Sequence, residues 1–261
     1  MKSITLINVL FLFLIINVDA QESAFGAFKT NEFTFKGKNA KIVFPNKANE
    51  ERLWIWRARF WGHEPQTDLA LLEKGFHIVY VDVAGLFGNN EAVILWNDFY
   101  NYLLKVYDLN SKTVLEGMSR GGLIIYNWAS QNTEKVFCIY ADAPVCDIKS
   151  WPGGLYAGQG SEKDWNECLK VYGLNETTVL DYKNIPINNA VKVAEAKIPV
   201  LHVIGGADIV VPYKENTAKL EKKFKEAGGN IQIIIKEDVG HHPHSLMNPK
   251  PIVDFILEHT K

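Results

Sequence analysis

What most constrains the fold is an alternation. Short apolar runs rich in β-branched and aromatic residues recur along the chain, and stretches with helical spacing separate most of them. Residues 41–45 (KIVFP), 52–58 (RLWIWRA), 76–83 (FHIVYVDV), 113–117 (TVLEG), 135–144 (KVFCIYADAP), 198–208 (IPVLHVIGGAD) and 231–240 (IQIIIKEDVG) read as strands. Residues 67–75, 91–107, 120–131, 216–229 and 251–259 read as helices, the first with Thr67 as its expected N-cap and Gly75 as its stop. Several of the strand runs are apolar on both faces. Both faces of a strand are buried only when helices cover the sheet on each side, so the expected architecture is an α/β fold with a mostly parallel central sheet. Residues 21–40 carry no clear core pattern.

Two segments stand outside the alternation. Lys2 precedes an apolar stretch from Ile4 to Ile16, and Val18-Asp19-Ala20 supplies small residues before Gln21. That is the pattern of a secretory signal peptide, and the stretch is shorter than the ~20 apolar residues of a membrane span. The expectation is export to the periplasm or medium, with residues 21–261 as a single domain. Residues 145–197 lie between two strands and are too long for a simple crossover. They hold WPGG (151–154), AGQGSEKDW (157–165) and a helical pattern at 162–172, and read as a lid or substrate wall that includes Trp151.

Composition narrows the function. Lys and Arg total 28 against 30 Asp and Glu, a formal net charge of −2 without basic clusters, so no nucleic-acid partner is expected. Three cysteines, Cys138, Cys146 and Cys168, are too few and odd in number for a disulfide scaffold. In an exported chain a Cys146–Cys168 bridge is compatible with the sequence but not established by it. Neither metal-ligand spacing nor a nucleotide-binding glycine pattern occurs, so no metal or cofactor is expected. Seven Trp and ten Tyr supply aromatic surface of the kind that sugar-facing clefts use, and a large core uses it equally.

The chemistry is carried by Gly117-Met118-Ser119-Arg120-Gly121. This is G-x-S-x-G with a strand before it and a helix after it, the context in which a sharp turn pushes a serine oxygen out of a sheet. Such a serine requires an acid after a later strand and a histidine after the last one. Asp208 closes the run VLHVIGGAD, and VGHHPH after the final strand presents His241, His242 and His244. Both lie at the strand ends where open α/β sheets hold their ligands.

In this combination the chain resembles the α/β-hydrolase superfamily over essentially its whole length after residue 20. The segments WRARFWGHEP, SRGGL, DAPVCD, WPGG and GHHPHSL resemble exported bacterial carbohydrate esterases of the acetyl-xylan and glucuronoyl type. The resemblance implies Ser119 as nucleophile, Asp208 as orienting acid and His241 as base, with His242 and His244 as alternatives. One oxyanion donor is expected at the Arg120 amide and the other near Arg57 or Ala58. Arg59, Trp61 and His63 stock the same loop with groups that bind anions or stack on sugars, and are the expected substrate contacts together with Trp151. Arg120 departs from the usual small residue after the nucleophile; Glu116, one residue before the motif, is its expected ion-pair partner, and an acidic sugar of the substrate is the alternative. The lysine that follows the serine–arginine pair in glucuronoyl esterases is absent, Gly121 and Gly122 standing there instead.

These residues point to a serine esterase that removes acyl groups from a plant or algal polysaccharide or oligosaccharide. Two other readings use the same fold: a lyase or dehydratase acting on uronate-containing oligosaccharides, and a catalytically silent carbohydrate-binding protein.

Overall fold

The computed structural model describes residues 24–26 and 28–261. The expected signal peptide lies outside the described residues. Eight strands form one sheet: β1 (Thr30–Phe35), β2 (Lys38–Val43), β3 (Trp54–Arg57), β4 (His77–Val81), β5 (Thr113–Met118), β6 (Val136–Asp142), β7 (Val200–Gly205) and β8 (Ile231–Lys236). Their order across the sheet is β1-β2-β4-β3-β5-β6-β7-β8. The β1–β2 and β2–β4 pairs are antiparallel, and every pair from β4 to β8 is parallel.

The expected mostly parallel sheet is present, with seven α-helices among the described residues: α1 (Gln66–Leu72), α2 (Asn90–Tyr107), α3 (Gly121–Ala129), α4 (Glu162–Tyr172), α5 (Pro186–Glu195), α6 (Thr217–Glu226) and α7 (Lys250–Glu258). The interior strands explain the unbroken apolar runs. In β3, Trp54 and Trp56 enter the core layer under α2 to α6, whereas Ile55 enters the layer under α1 and α7. Residues 138–141 of β6 alternate the same way, Cys138 and Tyr140 to one layer, Ile139 and Ala141 to the other. Period-2 side-chain alternation between two apolar layers needs apolar residues at every position. Trp56 stacks on Trp96 of α2, with ring centroids 3.9 Å apart and planes 11° apart, and so fixes that helix to the sheet centre.

Two elements differ from the sequence reading. The stretch 21–40 contains β1 and the start of β2, joined by a two-residue turn at Lys36 and Gly37 with φ of 47° and 76°. Two consecutive positive φ values fit the turn type that closes a tight hairpin. β1 is an edge strand with most of its side chains exposed or half-exposed, so its sequence carries no core signal. α1 begins at Gln66 behind Pro65, and Thr67 is buried inside its first turn, not at its cap.

The segment between β6 and β7 divides in two. α5 packs on α3 and α6 and serves as an ordinary crossover helix. Only the first part, with Trp151 and α4, reaches toward the end of β5, through contacts with Arg120. Cys138, Cys146 and Cys168 are all free thiols and buried, so the Cys146–Cys168 bridge is not formed.

Chain order reverses at the sheet centre: β3 is flanked by β4 on one side and β5 on the other. The loops leaving the carboxyl ends of β3 and β5 therefore diverge, and the crevice between them is where a ligand fits in such sheets. Ser119 lies on one side of it and Arg59 on the other.

Candidate active site

Ser119 follows β5 directly and has φ of +48°. A non-glycine residue in this left-handed region costs of order 1–3 kcal/mol, and the surroundings must hold it there. Its N–H donates to the Asp142 carbonyl (2.8 Å), and its carbonyl accepts from the amides of Gly122 and Val145 (both 2.9 Å). The motif glycines are required by close approach. A Cβ on Gly117 would lie 3.0 Å from the Gly121 carbonyl carbon, and one on Gly121 would lie 3.2 Å from the Arg59 Cβ.

The turn aims the Ser119 hydroxyl at the loop after β8. Ser119 Oγ lies 2.9 Å from His241 Nε2, and His241 Nδ1 lies 2.7 Å from Asp208 Oδ2. The other Asp208 oxygen accepts from the amides of Val210 and Val211, each at 2.8 Å. Burial raises the pKa of Asp208, but the His241 bond and the two amides outweigh it and hold the carboxyl below its usual range. The acid is thus charged whenever the imidazole needs its orientation. The three residues come from three separate strand ends, and the geometry selects His241 from the three histidines.

The other two have different surroundings. His244 is buried, and its Nδ1 meets Asp142 Oδ1 at 2.8 Å. The second Asp142 oxygen accepts from the Ser245 amide (2.8 Å) and the Tyr140 hydroxyl (3.0 Å). Asp142 thereby ties the histidine loop to the same strand end whose carbonyl holds Ser119, a connection that sequence reasoning missed. His242 is exposed; burial of part of its ring and then its neighbours His244 and His241 lower its pKa. The three histidines offer nitrogens that lie within 4.8 Å of one another.

The oxyanion assignment shifts by one residue. The Ala58 amide donates to the Glu116 carbonyl at 2.9 Å as part of the sheet, so it cannot serve a ligand. Arg57 belongs to β3, with its side chain buried. The next amide, that of Arg59, has no acceptor among the described residues, and neither has that of Arg120. Gly121 brings these two backbones together across the crevice. They are the pair available to a developing negative charge beside Ser119.

The expected Glu116–Arg120 ion pair is not formed. Arg57 is the register partner of Glu116 across β3 and β5, so their side chains share a face. Its Nη1 donates to Glu116 Oε1 (3.1 Å) and to Asp68 Oδ2. Nε donates to the carbonyls of Phe60 (3.1 Å) and Arg59 (3.3 Å), and Nη2 to the carbonyl of His63. One guanidinium therefore holds two buried carboxylates and the loop that carries the oxyanion amide. Burial, then the nearby Asp68, raises the pKa of Glu116 well above the carboxylate range.

Arg120 turns the other way. Its guanidinium carbon lies 5.1 Å from the Phe87 ring centre and 5.2 Å from that of Trp151, and Nη1 reaches Asp164 Oδ1 at 3.4 Å. A narrow cleft of about 10 Å³ is lined by Arg59, Arg120, Phe87, Ile124 and Gly121 among others. A larger hollow of about 500 Å³ lies between α5 and α6, includes no member of the triad and is edged by lysines. Of the expected substrate contacts, Arg59 and Trp151 border the cleft or its Arg120 wall. Trp61 does not: it packs on Phe25 and Tyr80, away from the triad. His63 stands against His242 and His244, with ring centres 5.9 and 6.0 Å away.

A strained serine hydrogen-bonded to an imidazole that is itself bonded to a carboxylate, beside two open amides, is the apparatus of acyl transfer. The model of the prolyl oligopeptidase family matches residues 97–261, a span that holds all three side chains. The chain belongs to the prolyl oligopeptidase family. Acylamino-acid-releasing enzyme 2 of Oryza sativa subsp. japonica is 29% identical over 140 residues, covering 50% of this chain and 17% of that enzyme. Pimeloyl-[acyl-carrier protein] methyl ester esterase of Wigglesworthia glossinidia brevipalpis is 27% identical over 208 residues, 64% of this chain and 77% of the esterase. Among solved structures, a dipeptidyl aminopeptidase IV candidate from Bacteroides ovatus superposes with a TM-score of 0.68 at 14% identity, over 89% of this chain and 36% of that one. This family member thus spans a small part of the rice enzyme and about a third of the Bacteroides protein. Its fold and its Ser119–His241–Asp208 arrangement are of the α/β-hydrolase type, and the relatives named here include both peptidases and an esterase.

Proposed function

We propose that this protein is a serine esterase that removes acyl groups from a carbohydrate. The observation that carries the reading is the unbroken chain of hydrogen bonds from Ser119 through His241 to Asp208, next to two unpaired amides. In the proposed reaction Ser119 Oγ attacks the ester carbonyl carbon while His241 Nε2 takes its proton. The carbonyl oxygen becomes an alkoxide between the Arg59 and Arg120 amides. The tetrahedral intermediate collapses with cleavage of the ester C–O bond, and His241 returns the proton to the departing sugar oxygen. Water, deprotonated by the same imidazole, then releases the acid and restores the serine.

Support for an ester comes from the methyl ester esterase relative, which this chain matches over most of that protein's length. Support for a sugar comes from the half-buried Trp151 beside Phe87, an aromatic face next to the cleft. The export expected from the sequence would place such an enzyme where polysaccharide is met. The rice relative favours a second reading, release of an acylated amino acid from a peptide.

Mass spectrometry separates these readings. Acetylated xylo-oligosaccharides, a uronate-containing oligosaccharide and an N-acetylated peptide are incubated with the protein, with Ser119→Ala as control. Loss of acetyl groups from the sugar with release of acetate is expected. Cleavage of the peptide with the sugar esters intact would replace the esterase by a peptidase, and loss of water from a uronate would indicate elimination.

A further inference from the structure

We infer that the side chains of Arg59 and Arg120 form a paired clamp for a carboxylate carried by the substrate next to its scissile bond. The inference rests on the proposed hydrolase reading of the same site and names a chemical class that its substrate would share. Arg59 and Arg120 line one narrow cleft, and the backbones of the same two residues supply the open amides. An anion between the side chains is therefore held beside the reacting carbonyl.

Four observations support a ligand role over a structural one. Arg59 has no carboxylate within 4.0 Å among the described residues, and Arg120 has only the partly exposed Asp164 at 3.4 Å. The Nε atoms of both arginines are buried and meet no acceptor. Each guanidinium is braced by aromatic rings: Arg59 lies 4.6 Å from the Phe60 centre, and Arg120 is held against Phe87 and Trp151. Burial, and next the charge of Arg59, lower the pKa of Arg120, and the charges of Asp164, Glu167 and Asp82 offset this only in part. Keeping like charges together in a half-buried cleft is unfavourable until an anion joins them. A carboxylate has the planar pair of oxygens that matches the guanidinium edge, and stacking on rings limits the orientation that must be frozen on binding.

The test compares an acid with its uncharged amide. Turnover is measured for 4-acetoxybenzoate against 4-acetoxybenzamide, and calorimetric binding for 4-hydroxybenzoate against 4-hydroxybenzamide. The wild-type protein is expected to prefer the acid by about tenfold or more, the effect of hydrogen bonds to a charged partner. That preference is expected to fall by at least tenfold in both Arg59→Gln and Arg120→Gln, and to be kept in part by Arg120→Lys. Reading the acid-to-amide ratio within each protein cancels any loss common to both esters. If neither ester is cleaved but the acid still binds preferentially, the hydrolase reading fails and the clamp stands. Equal handling of acid and amide by the wild type, or a preference that survives both substitutions, overturns the clamp.

Discussion

Replacing Arg57 with Met is the sharpest test of how this site is held. The side chain is 1% exposed, and its carboxylate partners Asp68 and Glu116 are fully buried. Methionine fills similar volume but removes the charge and every donor, so Asp68 and Glu116 lose their cation and the carbonyls of Arg59, Phe60 and His63 lose theirs. Removing one partner of a buried pair costs about 3–5 kcal/mol, because the remaining charge stays buried without compensation. In a chain of this size each kcal/mol moves the midpoint by roughly 2–4 °C, so Tm should fall by roughly 6–20 °C. Glu116→Gln provides the contrast. Burial raises the pKa of Glu116 well above its ordinary value and so favours its neutral form, whose size an amide preserves. That variant should melt within roughly 2–3 °C of wild type, the range of a change under ~1 kcal/mol. Both are measured by scanning calorimetry at pH 7. An Arg57→Met protein that melts with wild type would refute the claim that this guanidinium compensates two buried acids. A large loss in Glu116→Gln would show that Glu116 is ionised.

Three further outcomes are expected. Ser119→Ala should abolish ester turnover while leaving Tm equal to or above wild type, since Ala carries the same backbone strain and loses one exchangeable hydrogen bond; residual steady-state activity would rule out the acyl-enzyme. Asp208→Asn should lower kcat by about 10³–10⁴ with little change in KM, because the amide cannot hold the imidazole tautomer that His241 needs; a drop of less than tenfold would contradict the assigned role. His202 is buried between Tyr126 (2.6 Å) and Thr217 (2.9 Å), and burial lowers its pKa from 6.5 to about 3. The unfolded chain therefore binds a proton that the folded chain refuses between these values. Its contribution to stability is complete above pH 6.5 and is lost as pH falls, by about 1.4 kcal/mol per pH unit. Melts from pH 7 to pH 4 should show a steeper decline in the wild type than in His202→Gln, and parallel slopes would refute this.

The sequence by itself determined the α/β architecture, because only strands between two apolar layers need apolar residues at both parities, as 138–141 show. It also determined Ser119, since a glycine on each side of a serine between strand and helix is a local requirement of one turn. The order of Asp208 and the histidine loop was legible for the same reason: each follows a strand, and parallel strands bring their carboxyl ends to one edge. Local pattern could not decide partners across strands. Glu116 and Arg120 are close in sequence, but the β3–β5 register sets Arg57 against Glu116 and frees Arg120 for the cleft. The same register gives the Ala58 amide to Glu116 and leaves the Arg59 amide open. Among the histidines, spacing alone left three candidates. Asp208 captures His241 while Asp142, from a different strand end, captures His244. Which acid meets which base depends on distances between segments remote in sequence. Those distances exist only once the sheet has closed around its core.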